Sequence, residues 1–152
     1  MTVDCPDFQE TNLSEWSEVL VAPLKGGRYP LSGTLELTDR CNLGCVHCYI
    51  NQPAASRAIK SRELNTAQVK QILDQIAEAG CLFLLLTGGE MLLRPDFPEI
   101  YHYVHQKGIL VTLFTNGTLI TPPIADLLVE YRPRSIEITL YGATPETYEK
   151  VT

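Results

Sequence analysis

The sequence predicts an α/β fold built on parallel strands, and three observations carry that expectation. From residue 33 onward, segments of strand and helix character alternate as β-α-β-α-β-α-β. One strand, residues 82–86, is apolar without alternation, the pattern of a parallel strand covered on both faces. Each pair of strands is separated by a stretch of helical period, and such crossovers join parallel strands with right-handed connections.

The first strand spans residues 33–38, where Thr34-Leu35-Glu36-Leu37-Thr38 alternates with period two. It runs directly into Cys41-Asn42-Leu43-Gly44-Cys45-Val46-His47-Cys48, three cysteines spaced C-x3-C-x2-C. A loop continues through Asn51-Gln52-Pro53 into a polar, basic stretch at 56–62. Asn65 or Thr66 then caps a helix that ends near Ala79. Its apolar residues Val69, Ile72, Leu73, Ile76 and Ala77 share one face, and Gly80 sits where a left-handed C-terminal residue belongs.

The strand at 82–86 stops at Thr87-Gly88-Gly89-Glu90. A second helix spans about 97–107, with Pro98 in its first turn and Gly108 after its end. A third strand, 109–114, ends at Thr115-Asn116-Gly117-Thr118. The third helix, about 122–131, turns Ile124, Leu127 and Leu128 inward. A fourth strand, 135–140, ends at Tyr141-Gly142, and Thr144-Pro145-Glu146 reads as the cap and first turn of a fourth helix. In parallel α/β folds ligands sit at the carboxyl ends of strands. Four chemically unusual strand endings on one edge therefore mark an active-site rim.

Composition narrows the function. The chain has 152 residues, 45% hydrophobic and 20% charged, enough for one globular core. A formal net charge of −6 argues against a nucleic-acid module. No apolar run approaches the roughly 18–20 residues of a membrane span, and the N-terminus has no basic-then-apolar secretory pattern. A cytoplasmic protein without membrane or nucleic-acid partners is expected. Five cysteines, three of them crowded into one loop, suit a metal site in a reducing compartment better than a disulfide framework. Thiolates select iron–sulfur clusters, zinc or Cu(I). Cys81, opening an apolar strand, reads as a core residue. Cys5, in a polar leader, reads as a bystander.

Residues 1–30 form an N-terminal extension: an acidic stretch at 4–18, a short strand at Val19-Leu20-Val21-Ala22, a turn at Lys25-Gly26-Gly27-Arg28, then Pro30. It reads either as a leader packed on the domain or as a partner-binding arm. The core domain is 31–152. Stopping early in the fourth helix leaves the fourth strand with an open edge and incomplete cover, so the core is expected to be the N-terminal part of a longer protein, truncated before a fifth strand.

The cysteine loop after the first strand and Gly88-Gly89-Glu90 after the second together resemble the radical S-adenosylmethionine superfamily. Softer matches are Leu37-Thr38-Asp39-Arg40-Cys41-Asn42-Leu43, Cys48-Tyr49, Thr115-Asn116-Gly117 and Ile136-Glu137-Ile138-Thr139-Leu140-Tyr141-Gly142. The chain looks most like the branch that modifies peptides and proteins and often carries a C-terminal SPASM or Twitch extension. The resemblance implies about four β/α units of a partial (β/α)6 TIM-like barrel. It implies that Cys41, Cys45 and Cys48 each bind one iron of a 4Fe–4S cluster, whose fourth iron takes S-adenosylmethionine. The implied reaction is reductive cleavage of that sulfonium to a 5′-deoxyadenosyl radical, which abstracts hydrogen from a substrate, peptide, protein or small molecule. An external flavodoxin- or ferredoxin-like protein would donate the electron. Isolated residues 1–152 are expected to turn over poorly or not at all.

The same resemblance assigns cofactor-binding roles to Gly88, Gly89 and Glu90, and places Thr139 near the cofactor ribose. His47 stands where the family has an aromatic residue near the adenine; the alternative is a further metal ligand. Asn116 either serves the site or makes the turn after its strand. Tyr141 stands where many relatives carry Asp. No residue is assigned as a catalytic acid or base. His102 and His105, three apart on the second helix, read as surface or half-buried residues rather than ligands. The competing readings are a zinc-binding structural module using the three cysteines and His47, and a non-catalytic descendant that keeps the fold for binding.

Overall fold

A computed structural model describes residues 26–50 and 52–152, together with positions 12, 14, 15, 18, 19 and 22. Cys5, Lys25, Leu20 and Val21 lie outside the described residues. Val19 falls in a helical turn, not the short strand expected there; four apolar residues are too few to fix a period. Gly26 makes the expected turn with φ 93°.

In chain order the elements are β1 (Ser32–Glu36), β2 (Arg40–Cys41), β3 (Gln52–Pro53), α1 (Arg57–Lys60), α2 (Thr66–Glu78), β4 (Phe83–Thr87), a 3-10 turn (Met91–Leu93), α3 (Phe97–Gln106), β5 (Leu110–Thr115), α4 (Pro122–Glu130), β6 (Ser135–Ile138) and α5 (Pro145–Val151). Strands β1, β4, β5 and β6 form one parallel sheet in that order. Sequential parallel neighbours are the arrangement of a barrel wall, as expected. The short β2–β3 pair lies where the sequence predicts loop; it is parallel too, matching Arg40 with Gln52 and Cys41 with Pro53. Two-residue strands leave no periodic signal in a sequence.

The register divides the sheet into two faces. One row runs Leu35, Leu86, Leu113, Ile136 and the other Thr34, Leu85, Thr112, Ser135. The first face packs under the helices. Leu84, Leu86, Val111 and Leu113 are buried there against Val69 and Leu73 of α2 and Phe97, Ile100, Tyr101 and Val104 of α3. Each such side chain contributes about 1.5–3 kcal/mol. The helices start where their caps dictate. Asn65 and Gln68 form a reciprocal capping box at α2, and Pro98 occupies the first turn of α3.

The second face corrects an expectation. The run 82–86 read as buried on both sides, yet Phe83, Leu85 and Thr87 are only half-buried. Their face is the concave inner wall, where Thr34, Leu85 and Phe114 border open cavity. The apolar run reflects a barrel interior, which no layer of helices covers. On β6 the outer face is also bare: Ile136 and Ile138 are exposed, and α5 buries no residue.

Candidate cofactor site

The cysteine loop is anchored by the residues immediately before it. Leu37 N–H donates to Thr87 O (2.9 Å), which extends the β1–β4 pairing. Arg40 is only 6% exposed. Its Nε and Nη2 grip both carboxylate oxygens of Glu63 at 2.6 and 3.0 Å, and its Nη1 donates to Ala54 O at 3.1 Å. The Thr38 hydroxyl donates to the same carboxylate. One bidentate guanidinium thus ties the start of the loop to the chain that leaves it. Arg94, also buried, donates from Nη1 to Leu37 O (3.0 Å) and holds Asp96 through Nε and Nη2. Sequence reasoning missed both braces. Arg40 adjoins the first cysteine, but nothing in the local pattern points to a partner at 63 or 96.

The Gly-Gly segment lies against this anchor. Gly89 N–H donates to Thr38 O at 2.7 Å and Glu90 N–H to Arg40 O at 2.8 Å. Gly88 adopts φ 133°, where a side chain is strained. A Cβ there would stand 2.3 Å from Thr38 O, and one at Gly89 would stand 2.3 Å from Arg40 O. The need for glycine therefore comes first from backbone packed on backbone.

One cavity of about 400 Å³ brings together Cys41, Cys45, Cys48, His47, Gly88, Gly89, Asn116 and Thr139. Glu36, Phe114 and Tyr141 share its wall. His47 is exposed and packs edge-on against Tyr141, ring centroids 4.3 Å apart. Tyr49, next to the last cysteine of the loop, donates to Glu36 at 3.0 Å. Gly117, with φ 76°, takes the left-handed position of the turn after β5, so the side chain of Asn116 is left for other contacts.

Glu90, which the resemblance groups with the two glycines as cofactor-binding, sits differently from them. It is fully buried and absent from the cavity wall. One carboxylate oxygen accepts from Leu92 N–H (3.0 Å), and the other from the Thr115 hydroxyl (2.8 Å) and Asn116 N–H (2.9 Å). Glu90 starts the 3-10 turn and fastens it to the end of β5; a buried carboxylate needs such donors. The histidines of α3 are half-buried, as read, and Cys81 is a core residue at 8% exposure.

The donor set fits an iron–sulfur cluster. Cys41, Cys45 and Cys48 form no disulfide, and each is half-buried on the same cavity. Burial, then the neighbouring Cys41, pushes the Cys45 thiol pKa up. Among the described residues no three His, Cys, Asp or Glu side chains gather closely enough for a single metal ion.

Comparison with known proteins agrees. Residues 35–152 match the family model described as Radical SAM superfamily. Among curated relatives, the AdoMet-dependent heme synthase of Methanosarcina barkeri is 40% identical over 114 residues, covering 75% of this chain and 32% of that protein. Mycofactocin maturase MftC of Mycobacterium tuberculosis is 36% identical over 122 residues, covering 80% and 30%. The antilisterial bacteriocin subtilosin biosynthesis protein AlbA of Bacillus subtilis is 38% identical over 121 residues, covering 79% and 26%. The chain thus spans about a third of the length of the curated relatives it matches. In fold, it matches Streptococcus suis SuiB with a TM-score of 0.68 at 21% identity, covering 95% of this chain and 33% of that one. A second SuiB structure, bound to S-adenosylmethionine, gives 0.66. A 4Fe–4S cluster and S-adenosylmethionine are the cofactors that accompany this family. With that match across residues 35–152 and three thiols set around one cavity beside Gly88-Gly89, the chain belongs to the radical SAM superfamily.

Proposed function

We propose that residues 31–152 are the cofactor-holding part of an enzyme that abstracts hydrogen from a peptide substrate, with residues 1–30 as an extension to that core. The observation that carries this reading is the single cavity that three cysteines share with the Gly88-Gly89 backbone and Asn116. Cys41, Cys45 and Cys48 would hold the cluster. Gly88, Gly89, Thr139 and His47 line the space beside it that S-adenosylmethionine would fill, with His47 already steadied by Tyr141. Bound there, the two cofactors would supply one-electron reductive chemistry that abstracts hydrogen from substrate, the electron coming from an external donor. Glu90 would hold the segment after β4 and the end of β5 in place beside that space. Substrate would enter along the open inner face of the sheet, past Leu85 and Phe114.

A peptide substrate is favoured because one relative is named a PqqA peptide cyclase, and AlbA is named for biosynthesis of a bacteriocin. The heme synthase match supports a second reading, a small tetrapyrrole-like substrate. A flavodoxin- or ferredoxin-like protein would deliver the electron in the cytoplasm. Among the described residues no helix is long and apolar enough to cross a membrane. The test is anaerobic reconstitution with iron and sulfide. The wild-type chain should take up about four irons and turn brown, and Cys41→Ala, Cys45→Ala and Cys48→Ala should each lose that chromophore. A colourless protein holding one tight zinc would overturn the proposal.

A further inference from the structure

Asn116 sits where the Gly-Gly-Glu segment meets the cysteine loop, and its side chain is fixed at both ends. Its backbone N–H donates to buried Glu90 at 2.9 Å. Its Oδ1 accepts from Thr118 N–H at 2.9 Å and from the Thr118 hydroxyl at 2.6 Å. A backbone N–H can only donate, so the atom facing Thr118 is the amide oxygen and the opposite atom is the nitrogen. The orientation is closed by a ring of three side chains. The Thr118 hydroxyl donates to Asn116, Asn42 Nδ2 donates to that hydroxyl at 2.9 Å, and Asn116 Nδ2 donates to Asn42 Oδ1 at 3.0 Å. That ring uses one of the two hydrogens on Asn116 Nδ2. Cys41 Sγ lies 3.7 Å from the same nitrogen, as the acceptor for the other. Leu43 N–H donates to that sulfur as well, at 3.4 Å.

We infer that Asn116 sets the reduction potential of the cluster through an N–H···S bond to Cys41. This rests on the assignment of Cys41 as a cluster ligand. The electron added on reduction spreads onto the sulfurs, and a donor aimed at a ligating sulfur stabilises that extra charge, raising the potential. Asn116 is then a positioning residue that acts through Cys41, whether or not S-adenosylmethionine is present. The turn it belongs to would explain a small polar residue there, but a turn alone does not require an amide whose free N–H is aimed at sulfur. Through Glu90, the same residue couples the segment after β4 to the cluster loop.

The test is a redox titration of the reconstituted protein, followed by the electron-spin signal of the reduced cluster, in the absence of S-adenosylmethionine. The variants are Asn116→Ala and Asn116→Asp. The second keeps the acceptor for Thr118 N–H but replaces the donor with a negative charge. Iron content should equal wild type, with the midpoint potential moved negative in Asn116→Ala and further negative in Asn116→Asp. Loaded variants at the wild-type potential would overturn the inference, as would a shift seen only after S-adenosylmethionine is added, since that marks direct cofactor contact. If neither variant takes up iron, Asn116 serves assembly and the tuning role is wrong. Failure of the wild-type chain to take up iron is read separately, from the iron assay, and removes the cluster assignment itself.

Discussion

Gly89 and Arg40 meet backbone to backbone. A Cβ on Gly89 would lie 2.3 Å from Arg40 O, while the next residue, Glu90, donates its N–H to that same oxygen at 2.8 Å. Arg40 is the residue before the first cysteine, and its side chain is held by Glu63 and Ala54. The placement of the thiols therefore depends on how closely the Gly-Gly segment can approach.

Gly89→Ala cannot be absorbed by a flexible side chain, because the atoms in its way are backbone. The expected result is a loss of about 1–3 kcal/mol in urea unfolding, together with reduced iron uptake on reconstitution. Gly88→Ala meets Thr38 O at 2.3 Å and adds the strain of φ 133°, so it should be at least as damaging. Gly108→Ala is the control: nothing lies within 4 Å, and only the positive φ of 72° opposes it. Wild-type iron uptake by Gly89→Ala would show that the segment has room to move.

Glu90→Gln separates a structural carboxylate from one that touches cofactor. Both oxygens accept from donors in a fully buried site. The amide group of glutamine puts N–H where only acceptors fit, leaving a buried donor unpaired at a cost of about 1–3 kcal/mol. Thermal unfolding of the cofactor-free protein should show that loss in full. If the melting temperature is unchanged and only S-adenosylmethionine affinity falls, Glu90 reaches the cofactor after all.

The parts of the fold that were legible in the sequence are those written in local chemistry. Asn65 or Thr66, Pro98, Gly80 and Gly108 mark helix ends to within a residue or two, because capping and left-handed turns need those residue types. The three cysteines and Gly88-Gly89 are legible for the same reason. What was not legible depends on partners distant in the chain. The apolar run 82–86 gives no sign that one of its faces lines an open barrel interior. Glu90 reads as a ligand because it adjoins Gly89, yet its burial is decided by Thr115 and Asn116 on the next strand. Arg40 and Glu63 carry no motif at all.

The Arg40–Glu63 and Arg94–Asp96 pairs predict where acid weakens the fold. For Glu63, burial works to raise the pKa, but hydrogen bonds from Arg40 and Thr38 outweigh it and hold the carboxyl below its ordinary value. Asp96 is depressed in the same way: burial opposes, and Arg94 and Thr66 prevail. The unfolded chain then binds more protons than the native one, so stability rises with pH across this window. The contribution is complete above the ordinary carboxylate range, about pH 4, and is lost as pH falls from there through the depressed values. Urea midpoints measured downward from neutral pH should decline steeply only below that range. Glu63→Gln should flatten part of the decline, and should cost about 3 kcal/mol at neutral pH because Arg40 is left buried without its counter-charge. An unchanged acid limb in the variant would mean that Arg40 finds another partner.

His105 predicts a second, separate loss at milder acidity. Its Nε2 is buried with no hydrogen-bond partner among the described residues, and its ring lies edge-on to Tyr101 at 4.8 Å and tilted to Tyr131 at 5.8 Å. Burial, and then the neighbouring His102, holds its pKa below the ordinary histidine value. The group folds neutral, so its contribution is present above the ordinary value of about 6.5 and is lost as pH falls from there through the depressed one. His105→Phe keeps the ring packing and removes both the proton site and the unpaired nitrogen. It should abolish the stability decline just below neutral pH, leave the carboxylate limb untouched, and stabilise the protein by about 1 kcal/mol at pH 8. A decline of equal slope in His105→Phe would show that His105 is not its source.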